Sequence, residues 1–213
     1  ISTKGSAGQS YAAFCNNGIV LNHKGTCNDG VGKSACGGEI IINNPSSNIG
    51  RPSKNVLVGN FALFGATGGR LFVNGEAGDR FAVRNSGATA VVEGVGEYCA
   101  EYMTNGTVLN LGAFSRGFGN GMSGGFAYQY DPNKIMKQQI SKESVLVNYL
   151  DGTTEISNIH EKTIVTLLSW HFNATKSRIA EYLIENWDTE KVNMAYVTPM
   201  AFLQYQDLSL IHI

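Results

Sequence analysis

The 213-residue chain carries 16 Lys and Arg against 17 Asp and Glu, a formal net charge of −1, with only 15% charged residues. That balance offers no basic footprint for nucleic acid, and no apolar run reaches the length of a membrane span. Glycine is frequent at 26 residues while proline stands at 4, a ratio that fits neither collagen nor a disordered linker.

The first residues, Ile1 to Gln9, hold no initiator methionine and run straight into a repeat, so a piece of a longer product is expected. The repeat is a glycine followed by a short apolar run: Gly18-IVLNHKG, Gly38-EIIINN, Gly69-RLFVNG, Gly87-ATAVVEG, Gly106-TVLNLG and Gly125-FAYQYD. The period is roughly twenty residues, the mark of a β-solenoid with one strand and its corners per turn. One longer step, from Gly38 to Gly69, is absorbed by an insertion over Asn44 to Lys54 that carries Pro45 and Pro52. It reads as a surface loop.

Successive strand residues face opposite sides. Counting two residues on from each glycine gives Val20, Ile40, Leu71, Thr89, Val108 and Ala127, expected to fill the bore. Counting three gives Leu21, Ile41, Phe72, Ala90, Leu109 and Tyr128, expected to lie outside. The outer row is still apolar, and a sheet apolar on both faces is covered on both faces. Either the C-terminal segment or a domain beyond this stretch should pack there.

From Asp131 the repeat stops. Helical spacing over Ile159–Phe172 and Arg178–Trp187 predicts two helices, the second capped by Thr175 or Ser177. Val192–Val197 reads as a strand ended by Pro199. The last six residues, Leu208 to Ile213 (LSLIHI), resemble a translated sequencing adaptor and are set aside. The expected organisation is mainly β: a single-stranded parallel β-helix over 1–152 and a small helical extension over 153–207.

Candidate sites are weak. Gly117, Gly119 and Gly121 spell G-x-G-x-G, but a strand follows them, whereas a dinucleotide fingerprint needs a helix. Lys33 in GVGKS lacks the first glycine of a phosphate loop, since Cys27 stands in its place. The histidines His160 and His171 share the first helix without further ligands at metal spacing. Arg80, Arg84, Glu93, Asp79 and Glu97 suggest a charge ladder between coils. Cys15, Cys27, Cys36 and Cys99 form no C-x-x-C pair and read as small buried residues. The positions that carry structure are the glycines Gly38, Gly69, Gly87, Gly106, Gly117, Gly119, Gly121 and Gly125, assigned to corners. No catalytic, cofactor-binding or metal residue is assigned.

The runs ATGGRLF, RFAVRNSGA, VVEGVGE and GMSGGFAY, with KGSAGQSYAAF and CNDGVGKSACGGEI before them and IHEKTIVTLLSWHFNATKSRIAEYLIENW after, carry a specific likeness. The chain resembles the GXGXG-type C-terminal domain of the glutamate synthase large subunit over nearly Lys4 to Pro199. Lys176 stands where a glycine is common in that family. The resemblance implies a right-handed parallel β-helix without catalytic residues. It implies a parent enzyme that turns glutamine, 2-oxoglutarate and reductant into two glutamates. The parent's FMN and iron–sulfur cluster would belong to other domains. Its partners would be the amidotransferase and the FMN/iron–sulfur domains of the same chain, with a reductase subunit or ferredoxin as electron donor. The cytoplasm, or an organelle in a eukaryote, is the implied location. Similar domains also occur as free-standing scaffold subunits in N-methylglutamate synthase-like and formylmethanofuran dehydrogenase-like complexes.

Overall fold

The computed structural model of the protein describes residues 1–45 and 54–202. Most of the insertion after Asn44 and the whole adaptor-like tail lie outside the described residues. Nine strands build the solenoid, the six glycine-led runs giving the second, third, fifth, seventh, eighth and ninth: β1 (Ser2–Ala7), β2 (Val20–Cys27), β3 (Cys36–Asn43), β4 (Val56–Val58), β5 (Gly68–Val73), β6 (Glu76–Ala77), β7 (Ser86–Gly94), β8 (Asn105–Ala113) and β9 (Phe126–Tyr130). Their β-branched cores, such as Ile40 to Ile42, suit a pleated surface buried on both sides. All pair in parallel. β2, β3, β5, β7, β8 and β9 lie side by side, while the end of β2 continues onto β4 and then β6. The chain thus winds as a parallel β-solenoid of about six turns.

The register corrects the inner and outer rows. Leu21, Ile40, Leu71, Ala90, Val108 and Ala127 stand in line and point into the interior cluster. Ile41, Phe72, Val91, Leu109 and Tyr128 form the opposite face. Val20 and Thr89, expected in the bore, instead line up with Glu39 and Arg70, and Val20 is 51% exposed. In the first and fourth coils the glycine, Gly18 or Gly87, stands one position earlier relative to its strand than in the others. The irregularity between Ser86 and Thr89 is the physical cause in the fourth coil, because a bulge shifts the register and a one-residue slip exchanges the faces.

The outer apolar row is covered from within the chain. Helices α2 (Glu155–Thr175) and α3 (Arg178–Glu185) lay Ile164, Leu167, Leu168, Ala180 and Leu183 against Phe72, Val91, Leu109 and Tyr128. Helix α2 starts earlier than its apolar spacing suggested. Thr154 caps it by accepting from Ser157 N, and Asp151 Oδ1 accepts from Thr153 N at 2.9 Å. It also runs on through Thr175 and stops at Lys176, whose φ of +58° is the left-handed geometry a helix end favours. Ser177 then caps α3 through Ala180 N at 3.2 Å.

Past β9 come the short helix α1 (Met136–Gln139) and strand β10 (Val145–Tyr149). After α3, the turn α4 (Trp187–Glu190) leads to β11 (Met194–Pro199). β11 inserts antiparallel between β9 and β10, so the last coil ends on an antiparallel pair instead of another parallel turn.

Candidate functional site

Between one coil's strands and the next runs an arch of unusual backbone. Each arch places three residues at positive φ, spaced by two: Ser10, Ala12, Phe14; Gly30, Gly32, Ser34; Phe61, Leu63, Gly65; Arg80, Ala82, Arg84; Tyr98, Ala100, Tyr102; and Gly117, Gly119, Gly121. The first and third residues donate their N–H to the following coil, as Phe61 N does to Asp79 O at 2.7 Å. The middle one donates to the preceding coil, as Leu63 N does to Val31 O at 2.7 Å. Alternating donation cross-links three consecutive coils at the four inner arches, from Gly30–Ser34 to Tyr98–Tyr102. The middle residues from Gly32 onward are buried, and the outer two face away from the bore.

Four of these arches hold bulky residues in left-handed geometry, so positive φ alone does not require glycine here. The neighbouring coil explains Gly117 and Gly121. A Cβ on Gly117 would meet the Tyr98 ring at 2.3 Å, and one on Gly121 would meet the Tyr102 ring at 2.6 Å. The rings of one arch lie across the glycines of the next. Of the other glycines singled out above, Gly38, Gly69, Gly106, Gly119 and Gly125 have positive φ, between +70° and +92°. Gly87 differs: its φ is not positive, and its Cβ would meet the Thr67 carbonyl oxygen at 2.2 Å. Close approach between coils is what excludes a side chain there.

The helices are joined to the solenoid by a buried carboxylate. Glu93 on β7 is 2% exposed, and its Oε1 accepts from Asn74 Nδ2 on the preceding coil at 2.9 Å and Ser177 Oγ at 2.5 Å. His171 Nε2 on α2 stands 3.1 Å from the same oxygen. The expected grouping of Glu93 with Arg80, Arg84, Asp79 and Glu97 therefore does not form. Arg80 and Arg84 sit in an arch, and among the described residues neither takes part in an ion pair. Asp79 Oδ1 accepts from Glu97 N at 2.9 Å, and Glu97 pairs with Arg116 at 2.9 Å. Sequence spacing along one coil could not reveal that Glu93 faces the helices, because its partners lie on another coil and on α2 and α3.

A second junction holds β9 to the C-terminal elements. Tyr128 OH lies 2.9 Å from His160 Nδ1, and His160 stacks on Tyr196 with ring centres 4.2 Å apart. Burial lowers the His160 pKa. Glu190 accepts from Tyr182 OH at 2.7 Å and Tyr130 OH at 2.8 Å. These hydrogen bonds, the one from Tyr182 foremost, hold its carboxyl below the usual range. His23 is taken up in the first coils, with Thr3 Oγ1 at 2.9 Å from Nδ1 and the Gly5 carbonyl at 3.1 Å from Nε2.

The described residues do not compose a site for FMN or an iron–sulfur cluster. Cys15, Cys27 and Cys99 are buried singly, with burial pushing the Cys27 thiol up to about 12, and Cys36 is exposed. A cluster needs four thiolates converging on one volume; here Cys15 and Cys36 occupy the first two coils and Cys99 a much later one. Among the described residues no group of three or more His, Cys, Asp or Glu could hold a metal ion. In the G-x-G-x-G arch the Gly119 N–H goes to the Cys99 carbonyl and the rings of Tyr98 and Tyr102 lie against Gly117 and Gly121, which leaves little room for a phosphate cradle.

Residues 1–200 match the family model described as the GXGXG motif. The ferredoxin-dependent glutamate synthase of Antithamnion sp. is 43% identical over 195 residues, 92% of this chain and 12% of that protein. The large chain of Bacillus subtilis glutamate synthase [NADPH] is 40% identical over 201 residues, 94% of this chain and 13% of its own. The chloroplastic ferredoxin-dependent glutamate synthase 2 of Arabidopsis thaliana is 43% identical over 184 residues, 86% of this chain and 11% of its own. The chain thus spans about an eighth of the length of the relatives it matches.

Proposed function

This chain belongs to the GXGXG-motif family, and on that premise we propose that it is the solenoid domain of a glutamate synthase large subunit, with a scaffolding role. The solenoid domain is residues 1–152 and the helical extension 153–207, the last five of which lie outside the described residues. In the whole enzyme this region fixes the distance and orientation of the amidotransferase and FMN/iron–sulfur domains. Those domains supply the cofactors, the chemistry and the contacts with a reductase subunit or ferredoxin. The enzyme works in the cytoplasm, or in a plastid in the manner of the chloroplastic relative.

One observation carries the reading: two sets of buried polar groups are tied across the junction between solenoid and helices. Glu93, His171 and Ser177 join solenoid to helices, and Tyr128 with His160 joins the last coil to α2. None of these groups is arranged as a nucleophile with its base facing a cavity. A rod of six coils at about 4.8 Å per coil is roughly 30 Å long, a span suited to separating two domains.

The chain assayed alone for glutamine hydrolysis and for 2-oxoglutarate-dependent glutamate formation is expected to show no turnover. Turnover in either assay overturns the scaffolding role. In a full-length enzyme of this family, deleting the coil that corresponds to Gly78–Gly96 should leave glutamine hydrolysis intact while ammonia escapes. Unchanged coupling of the two half-reactions would count equally against the reading.

A further inference from the structure

The arch face alternates along the rod. Lys33 lies on the second arch, Phe61 and Phe64 on the third, Arg80 and Arg84 on the fourth, and Tyr102 on the fifth. Together they wall a groove of about 480 Å3. Lys33 sits 5.8 Å from the centre of the Phe64 ring and the Arg84 guanidinium 6.0 Å from that of Tyr102, so aromatic faces hold the cations in place without neutralising them.

The other carboxylates nearby lie off the groove wall. Asp29 Oδ1 accepts from Asn60 N at 2.7 Å, Asp79 Oδ1 from Glu97 N at 2.9 Å, and Glu97 is paired with Arg116. Glu101 alone is left on the groove wall. Among the described residues no ion pair includes Lys33, Arg80 or Arg84. Counted over the residues that line it, the groove sets three cations, Lys33, Arg80 and Arg84, against the single carboxylate of Glu101, among aromatic rings.

The spacing of the charges selects the ligand. Lys33 and the two arginines are two coils apart, about 10 Å along the rod. A single phosphate is too small to bridge them. A polyproline II segment repeats every three residues at about 3.1 Å per residue, so acids at i and i+3 share one face about 9 Å apart. Aromatic-lined grooves are the usual seat of that conformation. We propose that this groove docks an extended acidic segment of a protein partner, with two carboxylates three residues apart meeting Lys33 at one end and Arg80 and Arg84 at the other. The intervening residues rest on Phe61 and Phe64. The residues outside the described ones cannot supply it, because Asp207 is the only acid among them. The proposal stands whether or not the chain serves a glutamate synthase.

The test titrates the full chain with a fluorescent Glu-Pro-Pro-Glu peptide and follows anisotropy. Saturable binding is expected, weakening as salt rises from about 0.05 to 0.5 M. The Gln-Pro-Pro-Gln peptide, and a peptide with adjacent glutamates, should bind at least tenfold more weakly. Arg80→Gln combined with Arg84→Gln should cost the same factor with an unchanged melting curve. Lys33→Gln, at the other end of the groove, gives a second reading should the double variant misfold. Arg70→Gln, on the sheet face beside Glu39, should change nothing. Equal binding of the neutral peptide, wild-type affinity in the groove variants, displacement by equimolar inorganic phosphate, or no binding at all would each overturn the proposal.

Discussion

Gly65 and Gly121 occupy the same third position of two arches, with φ of +60° and +64°. They differ in what covers them. A Cβ on Gly65 finds nothing within 4 Å, while one on Gly121 meets Tyr102 Cδ1 and Cε1 at 2.6 Å. Alanine at either site takes on left-handed geometry, which costs about 1–2 kcal/mol. The restricted unfolded chain returns about 0.4–1 kcal/mol. Gly65→Ala should therefore destabilise by only about 0.5–1 kcal/mol. Gly121→Ala adds an overlap that the ring must relieve by moving about an ångström, worth about 1 kcal/mol for a ring that is half exposed, giving a total near 2 kcal/mol. In a Tyr102→Ala background the overlap is gone, and Gly121→Ala should fall back to the Gly65 value. Denaturant unfolding of the four Gly121/Tyr102 species measures that coupling. Equal costs at the two glycines, or a coupling below about 0.3 kcal/mol, would refute the claim that ring coverage, rather than φ, fixes glycine in the motif.

Three further outcomes are expected. Glu93→Ala strands the Asn74, His171 and Ser177 groups in a buried junction and should destabilise by about 3–5 kcal/mol in urea unfolding, whereas Glu93→Gln, which keeps an acceptor oxygen, should cost less. Burial holds the folded His160 pKa below its ordinary 6.5, so the unfolded chain takes up the proton first. Stability present above pH 6.5 is then lost as pH falls through the folded value, and His160→Gln should flatten that part of the stability–pH curve. A thiol reagent should modify Cys36 rapidly in the native protein, with Cys15, Cys27 and Cys99 reacting only after unfolding, as counted by mass spectrometry.

Much of the fold is legible in the glycine-led runs, because a period near twenty residues with an apolar strand per turn has few other solutions. The need for a cover over Phe72 and Tyr128 follows from simple alternation, and α2 and α3 provide it. Register is harder to read. Glycine marks a corner only approximately, and the irregularity before Thr89 puts Ala90 where counting placed its neighbour. The arches are harder still. Only Gly117–Gly121 spells the motif in full, although six arches share its geometry, because Arg80, Arg84, Tyr98 and Tyr102 take the same backbone without a glycine to signal it. The groove was hidden for that reason: the cations that line it reach one face through φ values that sequence spacing does not reveal.

The antiparallel closure by β11 and β10 makes the two ends of the stack unequal. Among the described residues β1 leans on a single neighbour, β2, so it can peel away by breaking one ladder. At the other end β9 is stapled by a strand that returns only after α2 and α3 have been laid down, with Tyr130 latched onto Glu190. Loosening there means undocking both helices at once. In these 213 residues taken by themselves, the amide protons of β1 should therefore exchange before those of β8 and β9.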